Sequence, residues 1–418
     1  MDVKEQVLEI GAKAKAASRK LAKLSTRRKN AILEAMAEEL DAQRTFIQSE
    51  NKKDLEAGRE AGLTHAMLDR LELTDARIDS MIKGLRDVAV LQDPVGEEIS
   101  TWNRPNGLEI HKRRVPIGVI GIIFESRPNV TCDAAALCFK TSNAVILRGG
   151  KEALHSNLAI ANAMAKGGET KGMPENCIQL IPTIDRAAVE VMCQMTDYLD
   201  LIIPRGGEGL IRAVMQMAHV PVIKHYTGVC HTYVDVSADL SMAWKIAENA
   251  KCQRPGVCNA METLLVHKDI AADFLPKMGE IFDQHGVEMR GDTQTTKLIG
   301  TAVPAKDEDW TTEYVDLILS IKVVEDVVAA IDHINKYGSG HSDAIVAEDE
   351  KATVQFLNEV DASTVYVNAS TRFTDGAEFG MGAEIGVSTD KLHARGPMGL
   401  EELTTYKYVV EGKGQIRE

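Results

Sequence analysis

The chain has few of the features that mark secreted proteins, membrane-spanning proteins, or small proteins stabilised by disulfides or metal ions. No apolar run among its 418 residues approaches the roughly 18 residues of a membrane span. The charged start MDVKEQVLEIGAKAKAASRK lacks the apolar core of a secretory signal. The seven cysteines are odd in number and show neither a disulfide framework nor metal-ligand spacing. We therefore expect a cytoplasmic protein with reduced thiols, no metal site and no membrane partner.

Positive charge is also scarce, since 48 Lys and Arg residues stand against 62 Asp and Glu residues, for a net charge of -14. This balance argues against nucleic acid or an anionic membrane as the main partner. It does not exclude a small anionic substrate, because a few arginines in a cleft outweigh distant surface charge. The composition, 44% hydrophobic and 26% charged, is that of a globular protein, and the length predicts two or three domains.

Helical and strand-like patterns change along the chain. The first ninety residues have helical spacing, with a second helix starting after Ser25, and residues 99–115 alternate around Pro105-Asn106-Gly107 as in a β-hairpin. Two series of alternating strands and helices follow, and they predict parallel sheets covered on both faces. The predicted strands are 115–124, 144–147, 178–181, 201–203, 222–223, 231–236, 263–267, 317–323 and 344–346, with helices at 130–140, 154–166, 186–196, 209–218, 239–250, 270–284 and 325–335. The tail segment Thr404–Val410 reads as extended.

The sharpest local feature is the segment QRPGVCNAMETLLVH at 253–267. Cys258 follows Pro255-Gly256, where the chain must turn, and precedes a helical or strand-like run. Backbone N–H groups at such a turn can lower the pKa of a thiol and make thiolate available at neutral pH. The alternative for any single cysteine is a small buried hydrophobe, and we apply it to Cys252.

This segment resembles the nucleophile segment of the aldehyde dehydrogenase superfamily, and the resemblance extends over nearly the full chain. It is carried by ENKKDLEAG (50–58), VPIGVIGIIFESRPNV (115–130), SNAVILRGGKEA (142–153), DLIIPRGGEGL (200–210) and NKYGSGHSDAIV (335–346). Within the superfamily, VEDVVAAIDHINKYGSGHSDAI (324–345), ESRPNV (125–130) and HYTGVCH (225–231) are typical of the γ-glutamyl phosphate reductase family. The resemblance implies reduction of L-glutamyl 5-phosphate to L-glutamate 5-semialdehyde by NADPH, through a thioester on Cys258, in proline biosynthesis.

One departure from the wider superfamily has a chemical meaning. Hydrolytic members activate water with a glutamate from a Glu-Leu-Gly-Gly segment, and the equivalent here is Tyr226-Thr227-Gly228-Val229, with no glutamate in Lys224–Val234. An enzyme that reduces its thioester loses product if water attacks, so the missing base is expected. The alternative is that the alignment is off by a few residues.

The resemblance also implies how a dinucleotide is bound. Many NAD-using relatives have Lys-Pro-x-Glu where this chain has Arg148-Gly149-Gly150-Lys151, and the two cations would attract the 2′-phosphate of NADP(H). They could instead be solvated surface cations. Gly206, Gly207 and Gly209 would let the backbone approach the pyrophosphate, although a plain turn also uses glycine. Glu313 resembles the family glutamate that holds the nicotinamide ribose.

For the substrate, we expect Arg127, Arg254 and Arg372 to bind the carboxylate and phosphate, because arginine grips either one in bidentate fashion. Asn129 would form an oxyanion hole with the backbone N–H of Cys258, although simple alignment places the family asparagine nearer Arg127. Ordinary salt bridges or turn positions are the alternative for each of these residues. His333 and His341 belong to the signature, and a packed structural histidine is the commoner case.

The implied fold is an aldehyde-dehydrogenase-like α/β architecture. We expect a Rossmann-type NADPH-binding domain at 1–98 and 116–227, a catalytic domain at 228–391 and a small β oligomerisation element at 99–115 and 392–418. That element would pair strands between the subunits of a dimer or larger homo-oligomer. Glutamate 5-kinase is an implied partner, because the acyl phosphate is labile. Two alternatives remain: a hydrolytic NAD-dependent aldehyde dehydrogenase and a non-catalytic scaffolding member.

Overall fold

The computed structural model describes residues 2–125 and 127–417. By residue range the chain divides into two compact units, the first comprising Met1–Lys224, Gly380–Gly386 and Met398–Glu418 and the second His225–Phe379 and Val387–Pro397. The change of unit at Lys224 lies three residues before the end of the predicted cofactor domain at 227. The predicted hairpin and most of the tail beyond 397 belong to the first unit.

Helices and strands alternate through most of the described chain. The helices are α1 Val3–Leu21, α2 Thr26–Ala42, α3 Arg44–Glu60, α4 His65–Leu71, α5 Asp75–Val90, α6 Asn129–Lys140, α7 Leu154–Thr170, α8 Ala187–Gln194, α9 Glu208–Met217, α10 Leu240–Cys252, α11 Ala271–Gln284, α12 Thr295–Leu298, α13 Val327–Tyr337 and α14 Glu350–Glu359. The strands are β1 Glu98–Asn103, β2 Glu109–Pro116, β3 Val119–Phe124, β4 Ala144–Arg148, β5 Ile178–Leu180, β6 Leu201–Arg205, β7 Cys230–Val234, β8 Met261–His267, β9 Glu288–Gly291, β10 Val303–Pro304, β11 Ile318–Val324, β12 Ser342–Val346, β13 Thr364–Val367, β14 Val387–Ser388, β15 Gly396–Pro397 and β16 Thr404–Glu411.

Local sequence explains how α1 begins and which face it buries. The Asp2 carboxylate accepts the N–H of Glu5, and the Glu5 carboxylate accepts the N–H of Asp2, which forms a capping box. Val7, Ala14 and Leu21 form its buried stripe, as the helical spacing predicted. The helix α2 starts after Ser25 as predicted, but the Ser25 side chain makes no capping hydrogen bond.

The first unit is built on a four-stranded parallel sheet in the order β5-β4-β3-β6. Each residue of β3 is buried, as expected for a parallel strand covered on both faces. The chain runs from β3 outward through β4 and β5, then returns to place β6 on the other side of β3. The switch in direction therefore lies between β3 and β6, and ligands of such sheets bind beyond the carboxyl ends of the strands at that point.

The continuous strand predicted from Val115 to Phe124 is wrong. The chain breaks between β2 and β3 at Gly118, whose φ of 135° is unsuited to other residues. A Cβ at that position would also collide with the carboxylate of Asp200, which accepts the N–H of Val119 at 2.8 Å. The predicted strand at 222–223 is reduced to a single bridge between Ile202 and Val222.

The second unit is built on a seven-stranded parallel sheet in the order β10-β9-β11-β8-β7-β12-β13. The helices α10 and α11 pack on one face, where Phe274 and Phe282 are fully buried, and α13 and α14 pack on the other around Phe356. Sequence patterns missed β9, β10, β13, α12 and α14, because these elements are short or carry mixed polar residues.

The hairpin β1–β2 was predicted correctly, and the tail strand β16 pairs antiparallel with β2 of the same chain. The tail therefore completes a three-stranded sheet in the order β1-β2-β16 within the chain. Pairing between subunits stays a prediction, and it would have to use the edge strands β1 and β16. No helix within residues 2–125 and 127–417 is long and apolar enough to cross a membrane.

Candidate active site

A large cleft in the first unit opens beyond the carboxyl ends of β3 and β4. Its volume is about 1290 Å³, and Phe124, Arg148 and Leu210 are among its lining residues. The helices α3, α4, α7, α8 and α9 contribute further parts of the wall. The cleft therefore lies at the switch point of the four-stranded sheet, where an open α/β sheet binds its ligand.

The two predicted cofactor cations have different surroundings. Arg148 is only 8% exposed, and its guanidinium donates to the carbonyls of Gly149 at 2.5 Å and Ile184 at 3.0 Å. Lys151 is exposed at the start of the short 3-10 helix Lys151–Ala153 and lines the cleft. Arg148 therefore braces the turn at residues 184 and 185, and Lys151 is the more accessible cation. Arg186, which sequence reasoning missed, follows that braced turn and also lines the cleft.

The predicted glycine turn joins β6 to α9. A Cβ at Gly206 would lie 2.5 Å from the Glu125 carboxylate, so only glycine fits there without a shift. The Glu125 carboxylate accepts the N–H of Gly207 at 2.9 Å, and a phosphate could take that N–H only after the Glu125 side chain turned away. Gly209 lines the cleft with open space around it. Close approach of a pyrophosphate to these three glycines stays a prediction.

In the second unit, Cys258 lies on the turn between α10 and β8, at the amino end of the sheet. This turn, residues 253–260, carries the candidate nucleophile and is the nucleophile turn. Its side chain is half-buried, whereas Cys132, Cys138, Cys177, Cys193 and Cys230 are buried. The turn is pressed against the segment just before β7, because a Cβ at Gly228 would come within 2.7 Å of the Cα of Cys258. The segment Tyr226-Thr227-Gly228-Val229 therefore contacts the backbone of Cys258.

Three further side chains fix this turn. The thiol of Cys230 donates to the carbonyl of Cys258 at 3.2 Å. The Asn259 amide donates to the carbonyl of Thr374 at 2.9 Å, and the Thr371 hydroxyl donates to the carbonyl of Asn259 at 2.7 Å. The backbone just after the sulfur is therefore held by Cys230 and by the segment 371–374, both distant in sequence.

Two of the predicted substrate arginines lie near the sulfur. Arg372 donates through its Nε to the Gln253 side chain at 2.9 Å and through Nη1 to Asn259. Burial lowers the pKa of Arg372, the charge of Arg254 lowers it further, and Cys258 acts in the opposite direction. Arg372 thus interacts electrostatically with both Arg254 and Cys258. Such a group suits an anionic substrate that the sulfur attacks.

The remaining predicted residues lie elsewhere in their units. Arg127 is exposed just before α6, and Asn129 begins that helix and donates to Asp133 at 2.9 Å. One amide hydrogen of Asn129 is thus used within its own helix. Glu313 belongs to the second unit and lies two residues before Val315, whose carbonyl oxygen approaches Gly256 of the nucleophile turn.

The two signature histidines are packed and neutral. Burial lowers the pKa of His341 to about 3, with a further contribution from His225. His333 is affected similarly: burial lowers its pKa to about 3, and His231 adds to the effect. The His341 ring contacts the Ser342 hydroxyl at 2.8 Å and the Cys230 sulfur at 3.7 Å. His341 therefore supports Cys230 beneath the nucleophile turn, which agrees with the structural reading of the signature.

Sequence reasoning missed the supporting residues because no local pattern marks them. The segment HYTGVCH carries no signal that sets Cys230 apart from the other six cysteines. Lys251 and Glu262, a buried ion pair at the ends of the nucleophile turn, have no local signal either. Among the described residues, Glu109, His111 and Glu411 have possible ligand atoms within 4.8 Å of one another, on the hairpin sheet rather than at the candidate site. The expected lack of a metal stays a prediction.

The first unit has a parallel sheet with a cleft at its switch point. The second unit has another parallel sheet, which presents a half-buried cysteine. Together, the two features define an aldehyde-dehydrogenase-type oxidoreductase. Comparison with known proteins agrees, since residues 2–318 and 298–409 match the model of the aldehyde dehydrogenase family. The γ-glutamyl phosphate reductases of Halothermothrix orenii and Moorella thermoacetica are 54% and 55% identical over 418 residues, and all of both chains is covered in each comparison.

Solved structures give the same answer. The crystal structure of γ-glutamyl phosphate reductase from Thermotoga maritima matches with a TM-score of 0.97 and 50% identity, covering 99% of this chain and 100% of that one. A probable aldehyde dehydrogenase from Listeria monocytogenes shares the fold with a TM-score of 0.70 at 15% identity, covering 100% of this chain and 99% of that one. The chain belongs to the aldehyde dehydrogenase family and, within it, to the group of oxidoreductases named γ-glutamyl phosphate reductase.

Proposed function

We propose that this protein reduces L-glutamyl 5-phosphate to L-glutamate 5-semialdehyde and phosphate, with NADPH as reductant and Cys258 as nucleophile, in proline biosynthesis. The observation that carries the proposal is the setting of Cys258. Its half-buried sulfur lies on a turn fixed from three sides and interacts with Arg372. The names of the relatives supply the substrate.

The first chemical step is acyl transfer to sulfur. The Cys258 thiolate attacks the γ-carbonyl carbon, a carbon–sulfur bond forms, and the carbon–oxygen bond to phosphate breaks, so that inorganic phosphate leaves with the bonding electrons. The backbone N–H of Cys258 and the amide of Asn129 are our candidates for stabilising the oxyanion. Arg254 and Arg372 orient the anionic substrate, and Arg127 is the third candidate for that task.

The second step is reduction of the thioester. Bound NADPH supplies the hydride for this step. The thiohemiacetal on Cys258 then loses its carbon–sulfur bond, which releases the aldehyde and restores the thiolate. Because Tyr226-Thr227-Gly228-Val229 contains no carboxylate and Gly228 contacts the turn, this segment offers no base to activate water against the thioester.

The cleft of the first unit suits a dinucleotide in position and in charge. Lys151 is exposed there and offers a cation to a 2′-phosphate, and Arg148 holds the neighbouring turn in place. Gly206, Gly207 and Gly209 leave room for a pyrophosphate beside α9 once Glu125 moves. Glu313 is our candidate for the nicotinamide ribose. These residues support NADPH over NADH as the cofactor.

The reverse reaction provides the test. Oxidation of glutamate 5-semialdehyde by NADP⁺ should require phosphate, since phosphate must displace the acyl group from sulfur, and Cys258→Ala should abolish it. Cys252→Ala is the matched control, because that thiol is also half-buried, lies at the end of α10 just before the turn and has no role in the proposal. Turnover that is equally fast without phosphate would instead favour a hydrolytic, NAD-linked aldehyde dehydrogenase. A native protein with no turnover and no rapidly labelled thiol would favour the scaffolding alternative.

Three wider expectations accompany the proposal. Strand pairing at the hairpin sheet would build a homo-oligomer, and light scattering of the native protein measures its subunit number. Association with glutamate 5-kinase would protect a labile acyl phosphate from water. The cytoplasmic location expected from the reduced thiols stays a prediction.

A further inference from the structure

A buried ion pair closes the base of the nucleophile turn. Lys251 lies in the last turn of α10 and Glu262 is the second residue of β8, and their side chains meet at 2.6 Å with no exposure to solvent. The chain between them carries Cys258. The pair therefore ties together the two ends of the segment that presents the sulfur.

Burying a charged pair is energetically unfavourable compared with other ways of fixing a turn. The free energy needed to remove both charges from water offsets much of their mutual attraction. Apolar residues of similar volume often stabilise a buried site as well or better. Burial accordingly raises the pKa of Glu262 to about 7 and lowers the pKa of Lys251. Stability alone thus gives little reason for a charged pair at this place.

Glu262 has a second contact that apolar residues could not make. Its other carboxylate oxygen accepts the N–H of Val315 at 3.2 Å. Val315 has a φ of 50°, a left-handed conformation that is unfavourable for a β-branched residue. Its side chain is 51% exposed, so burial does not compensate for the strain. Such a conformation persists only where its surroundings fix it.

The strained peptide lies between two parts of the candidate site. The carbonyl oxygen of Val315 is 3.7 Å from the Cβ position of Gly256, on the nucleophile turn. Glu313, two residues earlier, acts electrostatically on Glu262. One carboxylate thus connects the Cys258 turn to the segment that carries the proposed ribose-binding glutamate.

We propose that Lys251 and Glu262 are positioning residues, which fix the Cys258 turn and, through the strained Val315 peptide, the direction of Glu313. Lys251 orients the Glu262 carboxylate, and that carboxylate holds the Val315 N–H. Neither side chain touches the reacting atoms. The inference rests on the proposed function, because Glu313 and Cys258 take their roles from it.

Two double variants separate positioning from packing. Lys251→Met with Glu262→Met removes both charges and the acceptor for Val315, whereas Lys251→Met with Glu262→Gln removes the charges and keeps an acceptor. We expect the first to melt near the native temperature, with kcat reduced about tenfold or more and KM for NADP⁺ raised several-fold. The second should stay within about threefold of the native kinetic constants. Equal losses in the two variants, or native constants in the first, overturn the proposal.

The first unit offers a matched control. Lys29 and Asp93 form another buried pair at 2.5 Å, with side chains 1% and 4% exposed. Lys29→Met with Asp93→Leu should leave kcat and KM within about twofold of native, whatever it does to the melting temperature. A kinetic loss here equal to that of the Lys251 and Glu262 variants would assign the effect to general destabilisation and overturn the proposal.

Two further measurements keep the test decisive. If the fully apolar variant does not fold, Val315→Gly replaces it, since glycine adopts this φ without strain. We then expect KM for NADP⁺ to rise several-fold with no loss of melting temperature, and an unchanged KM overturns the proposal. The alkylation rate of Cys258 and direct binding of NADP⁺ need no turnover. An inactive native protein would refute the proposed function, while these two readouts would still report on positioning.

Discussion

Replacing Gly228 by alanine should displace the sulfur of Cys258 by pressing on the backbone of that residue. A Cβ at this position would lie 2.7 Å from the Cα of Cys258 and closer still to its carbonyl oxygen. Ordinary van der Waals contact begins near 3.4 Å, so the Cys258 peptide must retreat by about 0.7 Å or more. Displacement of a reacting group by about 1 Å costs on the order of 10²-fold in rate. We therefore expect kcat of the phosphate-dependent reverse reaction to fall by roughly that factor.

Gly256→Ala is the matched control, because it adds the same methyl group to the same turn. Among residues 2–125 and 127–417, a Cβ there would meet only the carbonyl oxygen of Val315, at an ordinary 3.7 Å. We expect kcat within about threefold of native and a similar melting temperature. If Gly228→Ala kept native kcat while the protein stayed folded, the claim that this close contact sets the position of Cys258 would be refuted.

Three other predictions concern charge, protonation and reactivity. Lys151→Glu should lower kcat/KM for NADPH by about 10- to 100-fold and leave kcat/KM for NADH unchanged, because a charge-assisted hydrogen bond contributes about 1.5–3 kcal/mol. If the ratio of kcat/KM for NADPH to that for NADH did not change, Lys151 would be excluded from the 2′-phosphate site. Burial holds the pKa of His333 at about 3, against 6.5 in the unfolded chain, so protonation favours unfolding as pH falls below about 6.5. Urea titrations should show native stability dropping relative to His333→Gln by about 1.4 kcal/mol per pH unit below that point, and parallel curves would contradict the assignment. Iodoacetamide at pH 7.5 should modify Cys258 before Cys252, since burial raises the pKa of Cys252 to about 11. Equal labelling of the two cysteines by mass spectrometry would contradict the assignment of Cys258 as the nucleophile.

The elements that sequence predicted best are those whose own residues specify them. The strand β3 is a continuous apolar run, and β-hairpin residues 99–115 surround a Pro-Asn-Gly turn, so local pattern was sufficient for both. The break at Gly118 was missed because it depends on the Asp200 carboxylate, 82 residues away. A periodicity argument cannot contain that contact.

The candidate site also has residues that a local pattern predicts and residues whose surroundings depend on distant parts of the chain. Cys258 is predicted as the nucleophile from its Pro-Gly turn and from its resemblance to a known nucleophile segment, and both signals lie within a few residues of it. Arg148 was predicted as a cofactor cation from its neighbours alone, yet folding directs its guanidinium onto the carbonyl of Ile184. Which cation is exposed and which is a brace depends on where distant carbonyls lie, so sequence could not distinguish Arg148 from Lys151.

The sequence by itself determined the α/β class, the family and the residue types available for chemistry, because apolar periodicity and long motifs are properties of neighbouring residues. Only the tertiary structure decided how that chemistry is supported. Gly228 and Cys230 contact the Cys258 turn from the segment before β7 and from β7 itself, and the buried Glu262 carboxylate accepts the N–H of Val315, whose φ is 50°. Contacts of this kind arise when folding brings separate segments together, and no local pattern records them.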